Sequence, residues 1–100
     1  MGSVGAVNTI MSKIDKVKFK KGNSIDGGDT YVANVPEVGK GLIYKDKNFW
    51  NVIVSKYINR SNELEMVDTG TGLGIDHTNT EQEARDLVKQ WLKAIATGQA

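Results

Sequence analysis

The chain contains no cysteine, one proline and one histidine in 100 residues. Without cysteine there is no disulfide framework, no thiolate nucleophile and no cysteine metal site, and a reducing, cytoplasmic setting is the natural expectation. The lone histidine, His77, has no second His or Cys with which to hold a transition metal. No Ser or Cys stands in a recognised nucleophile motif that would use it as a base. No apolar run is long enough to span a bilayer, so a membrane is not expected among the partners. Residues 1–10 carry neither a basic n-region nor an apolar h-region, which argues against a signal peptide. One sign of charge does not dominate either: the formal net charge is +1, well short of a dedicated nucleic-acid binder.

What the chain does carry is one strongly marked helix. Ala84, Leu87, Val88, Trp91, Leu92 and Ile95 recur at helical spacing and form one apolar stripe. Thr80 and Glu83 make a capping box, Glu81 and Glu83 place acid in the first turn, Lys89 and Lys93 lie towards the end, and Gly98 supplies a stop. A helix burying a tryptophan and four aliphatic side chains needs an apolar surface to lie on, and the strand-like middle of the chain is the source.

That middle begins at Ile14–Lys21, where Val17 and Phe19 alternate with Lys16, Lys18 and Lys20, the pattern of a strand with a lysine-lined face. Such a row either blocks edge-to-edge pairing or contacts phosphates. A turn-rich stretch, 22–30, follows; its Asp26 and Asp29 lack the ligand ladder of a calcium loop. Tyr31–Val35 reads as a short strand ended by Pro36, Leu42–Lys45 as a third, and Asp46-Lys47-Asn48 as a hairpin connection. Phe49–Ile58 is apolar on both faces, with Trp50, Val52 and Val54 on one side and Phe49, Ile53 and Tyr57 on the other, as expected of a central strand. Trp50, Val52 and Val54 are assigned to the helix so that Trp50 and Trp91 share a core. A fifth strand is expected within Glu63–Asp68.

The string Gly70-Thr71-Gly72-Leu73-Gly74 is not a phosphate loop, because no Gly-Lys-Ser/Thr closes it and no helix starts at its end. Glu81 and Glu83 are explained by helix capping rather than acid-base work. Charge is nonetheless polarised: residues 1–60 hold ten basic and five acidic side chains, against three and seven in residues 61–100. Lysines and aromatics are interspersed through the strands, a combination with which a sheet holds phosphates and stacks on bases, although the same aromatics also serve as ordinary cross-strand pairs.

The run Leu42-Ile43-Tyr44-Lys45-Asp46-Lys47-Asn48-Phe49-Trp50-Asn51-Val52, followed by Gly72-Leu73-Gly74-Ile75-Asp76 and Thr80-Glu81-Gln82-Glu83-Ala84, resembles the N-terminal DNA-binding domains of phage-type tyrosine integrases. These have a three-stranded sheet ending near a Gly-x-Gly and followed by a Thr-x-x-Glu-Ala helix. The resemblance covers residues 41–96, about half the chain, and implies that the sheet face reads DNA. The strands expected in residues 14–35 and the near-neutral charge depart from it. Small phage-encoded inhibitors and antitoxin-like domains with a sheet and one helix match the shape equally well.

The expectation is an α+β fold, an antiparallel sheet of four to five strands packed on one face by a single C-terminal α-helix over residues 81–96, with residues 1–12 a flexible leader to a single domain spanning 13–98. The expected function is that of a small, non-enzymatic binding module without a cofactor. It would contact DNA or RNA through Lys16, Lys18, Lys20, Tyr44, Lys45, Lys47, Lys56 and Arg60. The alternative is a small phage or mobile-element interaction factor that uses Phe49, Ile53 and Tyr57 to bind a protein partner or to self-associate.

Overall fold

The computed structural model describes residues 3–24, 27–57, 64–66 and 75–99, with residues 3–7 and 64–66 described by their backbone. Among these, two helices and six strands follow one another as α1 (Ser3–Asp15), β1 (Lys20–Lys21), β2 (Thr30–Val35), β3 (Gly39–Asp46), β4 (Phe49–Tyr57), β5 (Leu64–Met66), β6 (Ile75–Thr78) and α2 (Glu81–Ala96). The fold is α+β, with every strand pair antiparallel. The sheet runs β1-β2-β3-β4-β5, and β6 also pairs with β4. Strand β5 takes the Ser55–Tyr57 end of β4 and β6 takes Trp50–Ile53, so the two share one edge and the sheet is five strands wide.

Helix α2 forms as its local signals require. The Thr80 hydroxyl oxygen accepts from the Glu83 amide at 3.1 Å, which is the N-cap bond, and its hydroxyl donates to the Glu83 carboxylate at 2.9 Å, which ties the same two residues of the expected capping box together. At the other end Gly98 turns left-handed at φ +76°, and the Gly98 and Gln99 amides bond back to the Ile95 and Ala94 carbonyls. Alternation in the strands then decides which side chains meet the helix. Ala33 and Val35 of β2, Ile43 of β3, and Trp50, Val52 and Val54 of β4 pack with Ala84, Val88, Trp91 and Leu92. Val52, Val54, Val88 and Leu92 are fully buried, each contributing about 1.5–3 kcal/mol. Two glycines let the helix come close. A Cβ on Gly41 would sit 2.4 Å from Val88 Cγ1, and one on Gly39 would lie 3.3 Å from Leu92 Cδ2 and Ile95 Cδ1 and also meet the β4 carbonyl of Ser55 at 2.4 Å.

Residues 3–15 correct the expectation of a leader. They form helix α1, which packs against α2 and delivers Ile14, fully buried, to the core. Ile10 and Met11 pack around it, and an Asp15–Lys93 ion pair at 2.5 Å ties the end of α1 to α2. The Lys93 ammonium hydrogen-bonded to Asp15 holds that carboxyl below its ordinary range, with a further contribution from the charge of Lys89. The helical layer thus has two helices rather than one. A second correction follows: the strand expected over Ile14–Lys21 is reduced to Lys20–Lys21, because α1 runs through Asp15. Among the described residues no helix is long and apolar enough to cross a membrane.

Candidate functional site

The two faces of the sheet differ in what stands on them. Opposite the helices, cross-strand register aligns Thr30, Tyr44, Asn51 and His77 in one row and Val32, Leu42, Ile53 and Ile75 in the next. A third row holds Asn34, Lys40 and Ser55. Lys20 pairs with Val32 and extends the second row to the β1 edge. Val32, Leu42, Tyr44, Phe49, Ile53 and Tyr57 are all half-buried, while Ile75 at the β6 edge is 49% exposed.

At the β1–β2 end this face sinks into a depression of about 370 Å³. Lys18, Lys20 and Lys40 stand around it, Val32 and Pro36 supply apolar wall, and Asn34 and Tyr57 complete the lining with Val17. The Tyr57 hydroxyl donates to the Asn34 side-chain oxygen. Tyr57 belongs to β4 and Asn34 to β2, with β3 between them. Strands lie about 4.8 Å apart, so the phenol reaches Asn34 only by lying along the sheet across β3. No carboxylate among the described residues forms an ion pair with Lys18, Lys20 or Lys40. The nearby Glu37, held at φ +69° in the β2–β3 turn, lines a separate groove with Ile10 and Val38.

No protein-family model, curated protein or solved structure matches this chain. The chemistry of the site therefore rests on its own residues.

Of the residues singled out from the sequence, Lys18, Lys20 and Tyr57 come together at this depression, and Tyr44 shares its face two rows away. Phe49 and Ile53 lie on the same face, with the Phe49 ring tilted against His77 at 5.3 Å. Others are placed elsewhere. Lys45 pairs with Trp50 on the helix-covered face, its Nζ 5.8 Å from the Trp50 ring. Lys56 pairs with Gly39 on that face too. Lys16 stands with Lys13 beside the end of α1, and Lys47 occupies the β3–β4 turn at φ +54°. Arg60 and the Gly70–Gly74 string lie outside the described residues.

Tyr31 also belongs to the helix side, stacked on Trp50 at 6.2 Å and faced by the Arg85 guanidinium, which lies 5.1 Å from its ring and 4.9 Å from that of Phe19. Those aromatics are structural, a cation–π ladder closing one end of the core. Asp76 accepts a hydrogen bond from the His77 backbone amide at 2.8 Å, so that pair forms a local turn contact. Among the described residues no cluster of three or more His, Cys, Asp or Glu side chains is arranged to hold a metal. Asn34 and Lys40 are the members of the depression that sequence spacing alone does not single out; they join it through the pairing of Asn34 with Lys40 across β2 and β3.

Proposed function

We propose that the protein is a non-enzymatic binding module, acting in the cytoplasm, that holds nucleic acid on the sheet face turned away from its helices. The observation that carries this reading is the gathering of Lys18, Lys20 and Lys40, none paired with a carboxylate among the described residues, around an aromatic side chain laid along the sheet. Unpaired ammonium groups on one surface replace condensed counterions on a phosphate chain, and a neighbouring ring offers a surface to a base or sugar. The resemblance of residues 41–96 to integrase DNA-binding domains supports the same face. The test is a titration of labelled nucleic acid at increasing salt, with the wild-type chain and with Lys18, Lys20 and Lys40 replaced together by Gln. Affinity should fall steeply with salt for the wild type and much less steeply for the variant; absence of binding at low salt ends the reading.

One observation favours a second reading, that of an interaction factor. The row Val32–Leu42–Ile53 ends on half-exposed Ile75 at the β6 edge, which gives the same face an apolar stripe. If this stripe is an interface, the protein should run as an oligomer or in a tight complex, and Ile75→Asp should dissociate it without unfolding the chain. A monomer unaffected by that change removes the self-association form of this reading.

A further inference from the structure

We propose that the depression at Tyr57 seats one nucleotide of a single strand, with its phosphate among Lys18, Lys20 and Lys40 and its base against the Tyr57 ring. This rests on the nucleic-acid reading above and narrows it to one kind of strand.

Shape is the first ground. The three lysines surround a concavity of about 370 Å³, near the lower end of the 300–1,000 Å³ typical of small-ligand pockets. A duplex offers its phosphates on a convex surface and keeps its base faces stacked inside. An aromatic side chain within the same hollow as the cations is useful to a base that is already unstacked.

Hydrogen-bonding capacity is the second ground. The Tyr57 hydroxyl spends its proton on the Asn34 side-chain oxygen, and the hollow keeps more donors than acceptors: three ammonium groups and the Asn34 amide nitrogen against the remaining lone pairs of those two oxygens. Phosphate oxygens and base carbonyls are acceptors. Val32 and Pro36 supply an apolar wall for the flat part of the nucleotide.

Charge is the third. A net charge of +1 is small for a protein that must track many phosphates of a double helix, whereas three lysines match the few phosphates next to one seated nucleotide. For three phosphates on a single strand, a fourfold rise in salt should lower affinity about 20-fold.

The experiment compares a short labelled oligothymidylate, which has little structure of its own, with its duplex on oligoadenylate, by fluorescence anisotropy with the full chain at low salt. The single strand should bind about tenfold or more tightly than the duplex. Tyr57→Ala should weaken it about fivefold or more, while Tyr57→Phe, which keeps the ring and loses only the Asn34 contact, should stay within about twofold of wild type. Circular dichroism and thermal unfolding of both variants establish that each remains folded. Should Tyr57→Ala unfold, Val32→Ser and Lys40→Gln report on the wall and the charge separately, and neither weakening the single strand overturns the proposal.

A duplex bound as tightly as the strand also overturns it, while leaving the broader reading in place; failure of both to bind ends both. Unlabelled thymidine monophosphate or inorganic phosphate competing as well as the oligomer overturns it in favour of a small-anion site. Equal affinity of wild type and Tyr57→Ala for the strand overturns it as well.

Discussion

The two faces of this sheet are built from the same strands and equally regular alternation, yet they are used differently. On the helix side, Val52 and Val54 are wholly buried under Val88 and Leu92, and two glycines in β3 draw α2 in until it touches the sheet. On the other side Val32, Leu42 and Ile53 are only half-buried, and polar and charged residues, Asn34, Lys40 and Asn51, are interleaved with them in register. A face whose apolar rows are broken by lysine and amide groups covers the core from outside without becoming a second core. Stability is thus concentrated on one face, and the other is free for the binding role proposed for it.

The largest effect should separate these roles. Leu92→Ala removes a fully buried side chain from the helix face and should cost about 2–5 kcal/mol, since its surroundings are held by the sheet and cannot fully collapse. Ile53→Ala, on the same strand as Val52 but facing the other way, should cost about 1–2 kcal/mol because much of its surface is already wet. Urea unfolding of the two variants measures the difference. Equal losses would mean that both faces act as cores.

An intermediate effect is expected where, among the described residues, the outer face is sealed. Thr30 is 2% exposed, although it lies in the Tyr44–Asn51 row on the side away from the helices. The Gly22 amide bonds to the Thr30 carbonyl at 2.9 Å, which lays residue 22 over the side chain, and the buried hydroxyl has no hydrogen-bond partner among the described residues. A buried hydroxyl without a partner costs about 1–3 kcal/mol, so Thr30→Val, which keeps the shape and the β-branch, should raise stability by about 1 kcal/mol. A loss of stability in urea unfolding would show that the hydroxyl is satisfied in solution.

Helix α2 and the inward set Trp50, Val52 and Val54 were legible in the sequence because the signals are local: a capping box, a 3.6-residue stripe, a stop glycine, a two-residue alternation. Helix α1 was not, since Gly5, Ala6 and Ser12 dilute its pattern and it has no acid in its first turn. The spacing of Ile10, Met11 and Ile14 was the available clue. The site was half legible. Lys18 and Lys20 declare a face by alternation, but Lys40 and Asn34 join them only through strand pairing, which is a non-local fact. Lys56 could have been excluded from that face at once, because it has the parity of Val52 and Val54; so could Lys45, which sits opposite Trp50 across the hairpin.

The smallest effect tests whether α1 belongs to the helical layer as firmly as its buried Ile14 suggests. Asp15 meets Lys93 at the α1–α2 junction, and that contact holds the Asp15 carboxyl below its ordinary range in the folded chain. A group whose folded pKa is depressed gives up protons more readily in the native state. Its contribution is therefore complete above the unfolded carboxylate value and is lost as pH falls through the lowered folded value. Both side chains are exposed to solvent, so salt should weaken the effect. Asp15→Asn should leave a slightly less stable protein at neutral pH whose stability depends less on pH through the acid limb than that of the wild type, with the two curves converging at the lowest pH. Thermal unfolding across that range measures it. Parallel curves would mean that the ion pair does not form in solution, and that Ile14 and its neighbours alone hold α1 against α2.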